Sequence, residues 1–109
     1  MKLIKCVVRP NKVDEIKDAL SRLNISGMTV TEVRGHGHQK GHTAIYRGQE
    51  YNVSLLPKME IDIVVADEIA DEAVRVVIQA ARTGEIGDGR VFILPVDQSY
   101  RIRTGERIL

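Results

Sequence analysis

Met59-Glu60-Ile61-Asp62-Ile63-Val64-Val65 runs straight into Ala66-Asp67-Glu68-Ile69, and the reading of this junction decides the fold. Met59, Ile61, Ile63 and Val65 alternate with Glu60 and Asp62, the period of a strand that buries one face. Asp67 is placed to cap a helix over about 68–82, with an apolar stripe of Ile69, Ala73, Val76, Val77, Ala80 and Ala81. Past a glycine-rich turn, Val91 to Leu94 reads as a further strand, ended by Pro95.

The N-terminal half repeats this order. Leu3 to Val8 is apolar apart from Lys5 and reads as a buried strand that Arg9-Pro10 ends. Asn11 is an N-cap for a helix from about Lys12 to Leu23, which places Val13, Ile16, Leu20 and Leu23 on one face. Gly27 marks a turn, and Met28 to Arg34 reads as a second strand. The order β-α-β, loop, β-α-β predicts an α+β, ferredoxin-like plan: an antiparallel sheet with two helices on one face. Glu60 and Asp62 make the other face partly polar, so solvent or a partner subunit is expected there.

Bulk properties narrow the function. At 109 residues the chain predicts one domain, and with a single Phe and no Trp its core must be aliphatic. Sixteen Lys and Arg against fifteen Asp and Glu, a net charge of +1, argue against a general nucleic-acid binder. Cys6 is the single cysteine, so no intrachain disulfide can form, which fits the cytoplasm; in its apolar run it reads as a buried small hydrophobe. Met1-Lys2-Leu3-Ile4-Lys5 is not a signal peptide, and no run reaches transmembrane length.

Three stretches carry chemistry. Thr83-Gly84-Glu85-Ile86-Gly87-Asp88-Gly89-Arg90 is a glycine-rich turn able to bring backbone N–H groups up to a phosphate. In Tyr100-Arg101-Ile102-Arg103-Thr104-Gly105-Glu106, an extended backbone would aim Arg101 and Arg103 the same way, two forks suited to phosphate or carboxylate oxygens. From Gly35 to about Leu56 the sequence lacks clean periodicity, and loops of that length are generally functional. That section holds His36, His38 and His42, which leave a metal-binding module open as an alternative. No serine has a nucleophile elbow or partner spacing, so an enzyme is not expected.

In combination these residues resemble the PII signal-transduction family, which senses nitrogen and energy status. The resemblance covers nearly the whole chain. It rests on Gly27-Met28-Thr29-Val30-Thr31-Glu32-Val33, Gln39-Lys40-Gly41-His42-Thr43, Tyr46-Arg47-Gly48-Gln49-Glu50-Tyr51, Ala80 to Arg90, and Arg101 to Glu106, in order and at family-like spacing. It implies a cytoplasmic homotrimer with nucleotide sites between subunits, a target-binding T-loop at about 37–55, a B-loop at about 82–90 and a C-loop at about 101–106.

ATP and ADP would compete for one site, with phosphates held by Gly87, Asp88, Gly89 and Arg90 and by Arg101 and Arg103 of the neighbour. Gly35, Gly37 and His38 would also touch the nucleotide, and Thr29, Asp62 and Val64 match positions near adenine and ribose. The effector 2-oxoglutarate would bind beside Mg-ATP, with Gln39 ligating Mg²⁺, Lys58 pairing with a carboxylate, and Lys40, Gly41 and Gly87 close by. The targets implied are an ammonium channel, a nucleotidyltransferase or a nitrogen-assimilation enzyme. A channel would bring the protein to the membrane without inserting it.

The sequence also departs from the family pattern. His38 stands where many members have an Arg against the phosphates, so ATP binding should be weaker and tighter in mild acid than at neutral pH. His36 replaces a position often aromatic, Arg90 a common Lys and Asp62 a common Glu. Tyr51 matches a tyrosine uridylylated in some branches, and Gln49 stands where some members have a phosphorylated Ser. Arg47 matches a residue that plugs ammonium channels in some members, and with the sequence ending at Leu109 a longer family tail is expected to be absent.

Overall fold

The computed structural model describes residues 1–36, 43–46, 49–52 and 55–109, the two short middle stretches by their backbone alone. Its elements are β1 (Lys2–Val8), α1 (Val13–Ser21), β2 (Thr29–Gly35), β3 (Thr43–Tyr46), β4 (Gln49–Asn52), β5 (Leu56–Val65), α2 (Asp67–Ala81) and β6 (Gly89–Pro95). β2, β5, β1 and β6 form an antiparallel sheet in that order, as a ferredoxin-like plan requires.

Ile4, Cys6 and Val8 of β1 and Ile61, Ile63 and Val65 of β5 are buried on one face of the sheet. Ile16 and Leu20 of α1 and Ala70, Ala73, Val77 and Ala81 of α2 close over them in one cluster. Both helices therefore share a face, and the small alanines let α2 lie close to the sheet. The stripe expected on α2 is turned slightly: Ala70 is buried, whereas Ile69 is 38% exposed.

Several element ends differ from the sequence expectation. Pro10 opens a short 3-10 turn, Pro10–Lys12, with the Lys12 N–H on the Arg9 carbonyl at 3.1 Å. Asn11 lies inside that turn, so it cannot cap α1, which starts at Val13. Asn24 ends this segment in the left-handed region at φ 61°, with the Ile25 N–H reaching back to the Leu20 carbonyl at 3.1 Å. Ala66 occupies the cap position of α2, and the Asp67 carboxylate instead pairs with the Met1 amino group at 2.9 Å.

β5 begins at Leu56, earlier than the alternation suggests, and carries Pro57. Pro57 pairs with Arg34 of β2, and β1 ends opposite Met59, so the missing N–H of Pro57 faces no β1 partner. The section from Gly35 to Leu56 is not structureless. β3 and β4 pair within it, from Thr43 opposite Asn52 to Tyr46 opposite Gln49.

Candidate functional site

The turn between α2 and β6 is built around one carboxylate. Asp88 accepts the N–H groups of Thr83 and Gly84 at 2.9 and 2.8 Å and the Thr83 hydroxyl. Arg9, at the end of β1, donates Nε to Asp88 at 3.2 Å and Nη2 to the Ile86 carbonyl at 3.0 Å. The Thr83 hydroxyl, with these N–H groups and the guanidinium, holds the Asp88 carboxyl well below the usual carboxylate range.

Glycine makes the arc possible. Gly84, Gly87 and Gly89 have φ of 90°, 102° and 102°, where side chains are strained. A Cβ on Gly89 would also lie 1.8 Å from the Val7 carbonyl oxygen. Ile86 and Gly87 are the central pair of a tight turn that brings the Asp88 N–H toward the Glu85 carbonyl, and among the described residues the N–H groups of Ile86 and Gly87 have no hydrogen-bond partner. Consecutive N–H groups left without a partner in a glycine-flanked turn are the kind of donor that anions accept from.

Lys58 supports the turn from the sheet. Its Nζ donates to the Gly87 carbonyl at 2.6 Å, and the residue is only 7% exposed. Gly35 lies beside its stem, where a Cβ would come within 3.4 Å of Lys58 Cγ. Burial, reinforced by the Arg9 guanidinium and opposed by Asp88, lowers the Lys58 pKa. Lys58 also lines a cleft of about 390 Å³ with Pro10, Arg34, Pro57 and Met59.

The outer face of the sheet carries more of the expected site residues. Thr29 lies opposite Asp62, and Asp62 opposite Lys5, which faces Phe92 on its other side. Val64 is two residues along β5 on the same face, and Arg90 enters from β6 opposite Val7. Asp62 Oδ1 is buried with no hydrogen-bond partner among the described residues. Val64, Phe92 and Leu94 are 50%, 43% and 40% exposed on this face.

The arginine end is not extended. A bridge between Tyr100 and Arg107 closes a turn in which the Arg101 N–H reaches the Glu106 carbonyl at 2.9 Å and the Gly105 N–H reaches the Arg101 carbonyl at 2.8 Å. The strand argument for aligned guanidiniums therefore fails, because Gly105, at φ 71°, allows the chain to fold back. Arg101 pairs with Glu106 at 3.6 Å, Arg103 is exposed, and no described bond joins either to the glycine turn.

Gly37, His38, Gln39, Lys40, Gly41, His42 and Arg47 lie outside the described residues, as does the side chain of Tyr51. His36 is exposed, and no metal-ligating cluster occurs among the described residues. Sequence reasoning missed Arg9, reading it as the end of a strand. No local pattern marks it, because its partner Asp88 lies 79 positions away in the chain.

The family model described as Nitrogen regulatory protein P-II matches residues 1–106. A Nitrogen regulatory protein P-II of Rhizobium etli is 53% identical over 106 residues, covering 97% of this chain and 95% of the relative. The protein of that name from Haemophilus influenzae is 51% identical with the same coverage. Nitrogen regulatory protein P-II 1 of Escherichia coli K12 is 53% identical, again over 97% of this chain.

Proposed function

Because this chain belongs to the P-II nitrogen regulatory protein family, we propose that it senses nitrogen and energy status by binding ATP or ADP at the glycine turn. The role is regulatory and not catalytic, as the names of its relatives suggest. The observation that supports this reading is the glycine-flanked turn in which, among the described residues, the N–H groups of Ile86 and Gly87 have no partner, with Lys58 beneath them. Such a cradle suits the oxygens of a phosphate chain.

Arg90 adds a cation at the start of β6. The exposed Val64, Phe92 and Leu94 suit burial against further copies of the chain, as in a homotrimer. In that assembly Arg101 and Arg103 would come from a neighbour, and the orphan Asp62 oxygen would find a donor in a ribose hydroxyl. Gln39 would ligate Mg²⁺, and Lys58 would exchange its carbonyl partner for a 2-oxoglutarate carboxylate. Magnesium would supply charge neutralisation between the phosphates and the effector.

Residues 37–55 would carry the state to a cytoplasmic target: an ammonium channel, a nucleotidyltransferase or a nitrogen-assimilation enzyme. No helix among the described residues is long and apolar enough to cross a membrane. Calorimetric titration of 2-oxoglutarate with Mg-ATP, with Mg-ADP and without nucleotide tests the reading. Binding only with Mg-ATP is expected. Nucleotide uptake without any effector response would overturn the sensor mechanism, and no nucleotide uptake would overturn the site.

A further inference from the structure

An anion cradle with a carboxylate in its midst invites repulsion, since like charges at contact distance disfavour one another. The surroundings of Asp88 remove the conflict. Its two oxygens take four donors: the Thr83 N–H, the Thr83 hydroxyl, the Gly84 N–H and the Arg9 guanidinium. A carboxylate offers roughly four lone-pair sites, so none is left for a ligand or a metal. One of the four donors is a full cation, which offsets the charge.

We propose that Asp88 is a positioning residue of the phosphate turn, acting through Thr83, Gly84 and Arg9, and that its carboxylate does not touch the bound anion. The proposal rests on the nucleotide reading above. Thr83 is the second half of the device. Its hydroxyl donates to Asp88 and accepts the Glu85 N–H at 3.1 Å, so one oxygen orients both the closing carboxylate and the rising limb of the arc. Arg9 secures the far limb through Ile86. The clasp thus closes the span from Thr83 to Asp88 at both ends without using the N–H groups of Ile86 and Gly87, which stay available before any ligand arrives. A loop ordered during folding need not be ordered again on binding.

The consequence runs against simple charge counting. Removing a negative charge beside a polyanion should tighten binding, whereas loss of a positioning carboxylate should weaken it. The test is calorimetric titration of ATP and of inorganic triphosphate into the full chain, as wild type, Asp88→Asn, Thr83→Val, Thr83→Ser and the Asp88→Asn/Thr83→Val double variant. Asp88→Asn is expected to bind about tenfold more weakly, the scale of one lost hydrogen bond to a charged group. Thr83→Val should lose a similar factor, the double variant no more than the weaker single, and Thr83→Ser should restore binding.

Amide exchange at Gly84, without ligand, should quicken in Asp88→Asn and Thr83→Val while the thermal midpoint records whether the fold is kept. Tighter or unchanged binding by Asp88→Asn, or losses that simply add, would overturn the proposal. Should Asp88→Asn not fold, equal affinity of Thr83→Val and Thr83→Ser would do the same. Wild-type protein that takes up neither ATP nor triphosphate would instead overturn the functional reading, and this inference with it.

Discussion

The Lys58 ammonium donates to the Gly87 carbonyl at 2.6 Å, so a side chain rising from the sheet holds the crest of a turn 29 positions later in the chain. A buried cation with a single described acceptor gains little net stability, because desolvation opposes the hydrogen bond. Lys58→Met keeps the length of the stem and removes that cost. Its thermal midpoint is expected to stay within about 5 °C of wild type, while the response to 2-oxoglutarate disappears. A much larger fall in the melting curve would show that the Gly87 bond mainly supports the fold.

Gly89→Ala should be far more damaging. The new Cβ would meet the Val7 carbonyl oxygen at 1.8 Å, at a φ of 102°. Neither strain can relax without parting β6 from β1 at their paired ends. A loss of about 2 kcal/mol or more is expected, read as a drop on the order of 10 °C in thermal unfolding. An unchanged midpoint would mean that the strands separate there at little cost.

Acid should dissolve the Asp88 clasp late. The folded carboxyl titrates below its unfolded counterpart, so the unfolded chain takes up its proton first as pH falls. The contribution of the clasp is therefore fully present above about pH 4 and declines below that value, toward the folded pKa. Urea midpoints of wild type should fall more steeply than those of Asp88→Asn between about pH 4 and about pH 3. Asp67 and Glu72 are also held low, but both proteins keep them, so the difference isolates Asp88. Parallel slopes would contradict the assignment.

Cys6 should be inert while the protein is folded. It is fully buried, and burial, with the nearby Asp62 charge, pushes its thiol up to about 11. The thiolate that reacts is therefore scarce, and reagents cannot reach it. Thiol-specific labelling at neutral pH is expected only after denaturant is added. Rapid labelling of the native protein would reveal local opening of β1.

Much of the architecture was readable because it follows from single elements. Alternation in Met59 to Val65 identified both the strand and its inward residues, and Cys6 was correctly placed inside. Thr83 to Arg90 was legible as a glycine turn from composition alone. Errors fell where a partner decides the outcome. Asp67 has the chemistry of a cap but is drawn to the Met1 amino group, and Asn11 is displaced by the turn that Pro10 starts. The arginine end satisfies strand spacing, yet Gly105 and the Tyr100–Arg107 bridge fold it back.

The sequence by itself determined which residues of β1 and β5 face the core and, to within a slight rotation of the α2 stripe, those of the helices, where glycine must bend the chain, and, through the spacing of its motifs, the family. Each of these depends on neighbours a few positions apart, where backbone geometry is common to all proteins. Only the tertiary structure decided that Arg9 would meet Asp88 across 79 positions and that Lys58 would rest under Gly87. Those contacts depend on strand register and on how the turn settles over the end of the sheet. No local period encodes them, because they arise only when distant segments compete for the same donors and acceptors.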